Sequence, residues 1–217
     1  MTLTDDERPQ TVMGRVLLLL EPFRDADNLT LTELAERTGF PRSSTHRMLL
    51  QLVEVGWIHR TGTTYHLGPK LAELGSLAQS HDRIHQAALA SMYQLHKRTR
   101  MAVHLVVLDG DDLLYLEKVG GRWAATLPTN VGQRRRAHET VEGAALLAHR
   151  DSQEPGAAER VLDGAAGEQV HCVAIAFAAP NGEIAALSLT GPAGRTPESA
   201  HHDLALATDL VVSKLSA

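Results

Sequence analysis

Only one cysteine, Cys172, stands in the 217 residues, so no intrachain disulfide can form and the cytoplasm is the expected compartment. Long apolar runs are also missing. The run at 16–20 is far too short to cross a bilayer, and no membrane partner is expected. Residues 1–10 carry Asp5, Asp6 and Glu7 around no apolar core, so no targeting signal is expected and the segment reads as disordered. Internal repeats, glycine-rich phosphate loops and usefully placed pairs of catalytic carboxylates are lacking too. Nothing here supports an enzyme or calls for a cofactor.

What is present is an ordinary globular composition, 43% hydrophobic and 22% charged, with a net charge of −5. That sum argues against a protein that coats nucleic acid over its whole surface, but the distribution says more. Residues 1–36 hold eight acids against three arginines. Residues 37–70 reverse this, with Arg37, Arg42, Arg47, Arg60 and Lys70 against Glu54 alone. A basic segment inside an acidic chain fits one face meeting phosphate; it also fits an ordinary solvated face.

Periodicity divides the chain. Residues 11–23 carry an apolar stripe of Val12, Val16, Leu17, Leu20 and Phe23 and predict a first helix. Thr30 and Glu33 have the spacing of a capping box, opening a short helix over 31–38 that Gly39 stops. Pro41 suits the first turn of another helix, 41–55, whose buried side begins only at Met48 and Leu49. Residues 57–60 and 63–67 flank Thr61-Gly62 and predict a hairpin. Helices follow from Lys70 and over 84–97. The period then changes: strands are expected at 102–108 and 113–119, with weaker strand signals at 123–127 and 134–137. A helix at 140–149, a loop with one helical turn at 151–169, strands at 170–177 and 184–190 around Pro180-Asn181-Gly182, and a helix over 197–215 complete the reading.

A short helix, a turn, a second helix and a hairpin are the parts of a winged helix-turn-helix. The first helix braces the second so that its N-terminal turns, rich in small polar and basic residues, project toward a major groove. Arg42 and Arg47 are the candidates for base edges or phosphate, with Thr32, Ser43, Ser44, Thr45 and His46 beside them. His59 and Arg60 on the hairpin would meet flanking backbone or minor groove. An ordinary helical hairpin with an exposed second helix has the same pattern, and the following β-hairpin favours the DNA reader. Elsewhere, His81 and His85 share a helix face but have no third ligand placed by sequence, so no metal site is assigned. Cys172 in an apolar strand reads as a small buried hydrophobe rather than a reactive thiol.

Residues 30–49, from Thr30-Leu31-Thr32-Glu33-Leu34-Ala35 through Thr38-Gly39-Phe40-Pro41 to Thr45-His46-Arg47-Met48-Leu49, together with Tyr65-His66-Leu67-Gly68-Pro69, closely resemble the isocitrate-lyase-regulator (IclR) family. Val103-His104-Leu105, Tyr115-Leu116-Glu117-Lys118, Gly143-Ala144-Ala145-Leu146-Leu147-Ala148, Cys172-Val173-Ala174 and Ser188-Leu189-Thr190-Gly191-Pro192 extend the likeness nearly end to end. The resemblance implies an α+β chain: a winged helix-turn-helix at 11–69, a linker helix at 70–80 and a GAF-like effector and oligomerisation domain of antiparallel sheet and helices at 81–217. It implies a homodimer or tetramer on a palindromic double-stranded operator, repressing or activating transcription in response to a small-molecule effector. By position, Val141, Glu142, Cys172, Ser188 and Thr190 would line the effector pocket. Two departures stand out. Only 151–171 remain where the family has a longer segment, so the domain is shortened. The small residues usual in the family are replaced by a bulkier stretch with two carboxylates, Glu139 and Glu142. The first departure also allows a C-terminal domain that serves only dimerisation or partner binding.

Overall fold

The computed structural model describes residues 9, 11–152, 156–163 and 169–217. They divide into two compact units at Ala78/Gln79. The disordered segment expected at 1–10 lies, Pro9 apart, outside the described residues.

In the first unit, α1 (Val12–Leu20) starts where Thr11 accepts a hydrogen bond from the Gly14 amide. It gives way to a single 3₁₀ turn at Glu21–Arg24, where Pro22 cannot continue the α-helical ladder, so the helix is shorter than the 11–23 expected. β1 (Leu29–Thr30) leads into α2 (Leu31–Thr38). The capping box is present: the Glu33 amide donates to Thr30 Oγ1 and the Thr30 amide donates to Glu33 Oε2 at 2.7 Å. Gly39 closes α2 at φ +69°, a left-handed conformation that a side chain resists. α3 (Arg42–Glu54) follows, with Pro41 as its cap rather than its first residue.

β2 (Ile58–Thr61) and β3 (Thr64–Leu67) form the hairpin, and β1 pairs with β3, so the wing has three strands in the order β1-β3-β2. The two-residue β1 is too short to show a period in sequence. Leu19, Leu34, Leu49, Leu52, Ile58 and Tyr65 knit helices and hairpin into one core. α4 (Pro69–His81) runs through the division between the units and buries none of its residues.

The second unit is a six-stranded antiparallel sheet in the order β6-β5-β4-β9-β8-β7 with helices on both faces. Its strands are β4 (Ala102–Asp109), β5 (Asp112–Val119), β6 (Arg134–Arg136), β7 (Ala157–Asp163), β8 (Gln169–Ala178) and β9 (Ile184–Pro192). Its helices are α5 (Arg83–Thr99), α6 (Val141–Ser152) and α7 (Ala200–Leu215). Because strand side chains alternate, Val103, Leu105, Val107, Val173, Ile175, Leu187 and Leu189 meet α5 and α7 on one face. Val106, Cys172, Ala174, Ala176 and Ala186 turn to the other, where Val141, Ala145 and Leu146 of α6 pack on them. This is the α+β architecture expected.

Two expectations fail in this unit. Residues 123–127 are not a strand: Ala124–Thr126 form a 3₁₀ turn whose closing amides, Thr126 and Leu127, donate to Trp123 and Ala124 carbonyls, which local bonding a short segment without a strand neighbour can satisfy. Within the segment 151–169 expected to be a loop, Ala157–Asp163 are instead a strand, pairing with β8 from Ala157↔Ile175 to Asp163↔Gln169 at the edge of the sheet. Its glycine- and alanine-rich surroundings hid the strand, which exists because the long β8 offers it a free edge. The remainder of that segment, at 153–155 and 164–168, lies outside the described residues.

Leu49 is fully buried in the first core, whereas its neighbour Leu50 is 48% exposed. Leu49→Ala is expected to cost about 2–5 kcal/mol in urea denaturation followed by circular dichroism. Leu50→Ala should change stability by about 0.5 kcal/mol or less.

Candidate nucleic-acid interface and buried polar cage

The brace of α2 and the turn at Gly39-Phe40-Pro41 leaves the first turns of α3 free on one side. Arg42, Ser43, His46 and Arg47 are exposed there, and Ser44 is half-buried. Thr45 is not part of this tip. It is fully buried, and its hydroxyl donates to the Pro41 carbonyl at 3.2 Å, because one position in each turn of α3 must face the core. Its expected contact with DNA is therefore corrected to a packing role.

Arg42 Nη1 donates to Thr32 Oγ1 at 2.5 Å, which joins the start of α3 to the start of α2. On the wing, Arg60 lies over the Tyr65 ring at 5.6 Å and donates through Nε to the Gly62 carbonyl at 2.9 Å, while His59 is exposed. Thr32, Arg42 and His46 face Arg60, Thr63 and Tyr65 across a hollow of about 320 Å³. The structure thus gathers five of the expected positions, Thr32, Arg42, His46 and Arg60 around the hollow and Arg47 on the same tip. Thr63 was not foreseen; a threonine in a turn carries no signal of its own.

In the second unit, all five positions expected to line an effector pocket are buried: Val141, Glu142, Cys172, Ser188 and Thr190. Register explains their convergence. Cys172 pairs with Thr190, Ser188 pairs with both Ala174 and His104, and all turn toward α6. Thr140 caps α6 by accepting from the Gly143 amide at 2.9 Å. A Cβ at Gly143 would collide with the Ala137 carbonyl, so glycine lets the helix start close to the preceding turn and sets Glu142 over the sheet.

Ser188 Oγ donates to Glu142 Oε1 at 3.0 Å, and Thr190 Oγ1 donates to Cys172 Sγ at 3.4 Å. His104, 1% exposed, holds Thr129 Oγ1 through Nε2 at 3.0 Å and Ser188 Oγ through Nδ1 at 3.4 Å. Its ring meets Tyr115 edge-on at 5.5 Å. Lys118 Nζ donates to the Thr129 carbonyl at 2.6 Å. A bulge in β5 lies opposite Leu105/Val106, and beside it the Tyr115 amide donates to the Gln133 carbonyl at 3.0 Å while the Gly132 amide donates to the Tyr115 carbonyl at 2.8 Å. His104, Tyr115, Lys118 and Thr129 were missed as cage residues; the one signal was a lone polar residue, His104, inside the apolar run of β4.

Burial governs the charges in this cage. It pushes His104 down to about 3, with the Lys118 charge acting in the same direction. It raises the Glu142 carboxyl, against the pull of its own backbone amide, Ser188, Arg135 and Cys172. Burial and then Glu142 raise the Cys172 thiol, so the cysteine is an inert group here. With His104 neutral, the 3.9 Å approach of its Nδ1 to Glu142 Oε1 is not an ion pair. Of the histidine pair considered for metal, His85 bonds Glu117 Oε2 at 3.0 Å. Among the described residues no three metal-ligating side chains gather. No described helix is long and apolar enough to cross a membrane.

The first unit is a winged helix-turn-helix and the second an antiparallel sheet unit with a buried polar cage. Residues 13–62 match the model of the IclR helix-turn-helix domain and residues 76–165 that of the bacterial transcriptional regulator IclR C-terminal domain, together more than half of the chain; the chain belongs to the IclR family. It is 30% identical over 159 residues to the HTH-type transcriptional regulator KdgR of Dickeya chrysanthemi, covering 71% of this chain and 52% of that protein. It is 35% identical over 119 residues to the HTH-type transcriptional regulator KipR of Bacillus subtilis, covering 54% and 48%. The chain thus spans about half the length of these curated relatives. In fold it is similar to the crystal structure of an IclR homolog from Microbacterium hydrocarbonoxydans complexed with 4-hydroxybenzoate, with a TM-score of 0.79, 24% identity, and coverage of 95% of this chain and 99% of that one.

Below pH 6.5 the unfolded chain takes up a proton that folded His104 refuses until about pH 3. Its contribution to stability is therefore full above that window and lost as the pH falls through it, by about 1.4 kcal/mol per unit. Glu142 acts in the opposite sense, because its folded carboxyl keeps a proton that the unfolded one releases above 4.5. Urea denaturation at a series of pH values between 6.5 and 4.5 should show a shallower acid loss for His104→Gln than for the wild type.

Proposed function

We propose that this chain is a DNA-binding transcriptional regulator, repressing or activating, that works in the cytoplasm as a homodimer or tetramer. Residues 11–69 bind a palindromic operator, 70–80 link, and 81–217 bind an effector and oligomerise. The observation that carries this reading is the exposed cationic tip of α3, with Arg42 and Arg47 clear of the core that holds Thr45, Met48 and Leu49. A helix N-terminus of that kind enters a major groove, with Ser43, Ser44 and His46 beside base edges or phosphate. His59 and Arg60 reach the flanking backbone, and Thr32, held by Arg42, lies beside the same phosphates.

Dimerisation is supported by apolar side chains that the first unit leaves in solvent. Val12, Met13 and Leu17 of α1 are 58–73% exposed, and Leu74 and Leu77 of α4 are 42% and 47% exposed. A second copy covering such faces would set two reader helices about 34 Å apart on successive major grooves.

For the C-terminal unit, effector binding at Val141, Glu142, Cys172, Ser188 and Thr190 draws on the homologue solved with 4-hydroxybenzoate. The second reading, a unit used only for dimerisation or partner binding, is favoured by one observation: the polar groups of the cage already bond one another.

Operator sequences selected from a random duplex pool give the test. Arg47→Ala or Arg42→Ala should weaken binding to the selected duplex by about 1–3 kcal/mol, roughly 5- to 150-fold, in fluorescence anisotropy. Unchanged affinity in both variants would remove the tip from the interface. Leu74→Glu with Leu77→Glu should shift the sedimenting species toward monomer and abolish tight binding to the two-half-site duplex while single-half-site binding persists.

A further inference from the structure

Glu142 is 5% exposed and sits on the first turn of α6, over a sheet face made largely of Val106, Ala174, Ala176 and Ala186. Placing a carboxyl there is costly unless its oxygens find partners. Oε1 accepts from Ser188 Oγ at 3.0 Å, and the Cys172 thiol and the Arg135 charge on β6 both favour its ionised form. The surrounding groups are satisfied in turn. Ser188 also meets His104, His104 holds Thr129, and Thr190 donates to Cys172. Among the described residues, the one buried side-chain polar atom without a hydrogen-bond partner is Asp203 Oδ1, which lies elsewhere and pairs with Arg98. No cage side chain is thus among the buried polar atoms left without a partner, and the group at its centre is a carboxyl on a two-carbon tether.

We propose that the Glu142 carboxyl is a built-in occupant of the C-terminal cage, standing where the carboxyl of a small organic acid would sit, so that this unit is held in its filled state with nothing bound. The inference rests on the reading of the C-terminal unit as an effector domain and states how that site is regulated. A free acid could enter only by displacing a side chain whose local concentration is set by its own backbone, so added small carboxylates leave the wild type unaltered.

The chemistry of truncation supplies the test. Glu142→Ala removes a CH2–COOH fragment, one hydrogen short of acetic acid, and leaves Ser188 and Cys172 facing the vacated space. Thermal unfolding of the full chain is measured for wild type, Glu142→Ala and Glu142→Gln in rising sodium acetate, against sodium chloride at equal ionic strength. At the ceiling for so small a ligand four non-hydrogen atoms bind with a Kd of about tens of micromolar, so tens of millimolar acetate covers sites up to roughly a hundredfold weaker and should raise the Tm of Glu142→Ala by a few degrees and then saturate. Wild type and Glu142→Gln, whose amide fills the same space, should respond alike to the two salts. If Glu142→Ala does not fold in chloride, refolding yield replaces Tm: recovery in acetate alone supports the inference, and equal failure in both salts overturns it. A Glu142→Ala protein that treats acetate and chloride alike also overturns it. So does a saturable acetate response of the wild type, which would instead favour a free effector site. None of these outcomes touches the DNA-binding reading, which stands or falls with Arg42 and Arg47.

Discussion

The hydrogen bond from Ser188 Oγ to Glu142 Oε1 ties the start of α6 to the centre of the sheet, and the C-terminal unit is arranged around it. A carboxyl cannot be left unpartnered among alanines. That requirement places a hydroxyl on β9, calls for Gly143 so that the helix can begin close against Ala137, and suits a neutral histidine on β4. Ser188 and His104 sit on the sheet face turned to α6, and the face turned to α5 and α7 keeps its own core of Val103, Leu105, Val173, Leu187 and Leu189. Strand alternation lets one sheet hold a dry core on one side and a polar cage on the other.

The N-terminal unit works under a different constraint. Its reader helix must be held firmly and yet present its first turns to solvent. The capping box at Thr30 and Glu33 fixes the start of α2, Gly39 turns the chain, and Leu49 and Leu52 anchor the later turns of α3 in the core with Leu19 and Tyr65. Firm anchoring at one end of a helix is what makes the other end a rigid probe. The third strand of the wing adds pairing to β3, which carries Tyr65 under Arg60 and so fixes where that cation lies.

Much of this was legible from residues alone. Thr30, Glu33, Gly39 and Pro41 mark helix boundaries by local chemistry, and the structure differs there by one residue at most. The strands at β4, β5, β8 and β9 were visible because their apolar content and turn residues are strong. β1 and β7 were not. Two residues show no period, and an edge strand of mixed composition exists only because a neighbour supplies its hydrogen bonds. The strand expected at 123–127 failed for the converse reason, since among the described residues no strand pairs with it.

In the cage the division is sharper. Family resemblance pointed to Val141, Glu142, Cys172, Ser188 and Thr190, but it gave no reason for them to bond one another, and it left out His104, Tyr115, Lys118 and Thr129. Thr45 shows the same limit in the reader helix, where a polar residue among polar neighbours proved to face inward. The order of helices and strands, the stops between them and the basic reader segment were set by the chain itself, because caps, turns and periods act over a few neighbouring residues. Which side chains meet was decided only when strands distant in sequence came into register, since a contact such as Glu142 with Ser188, 46 residues apart, has no local cause.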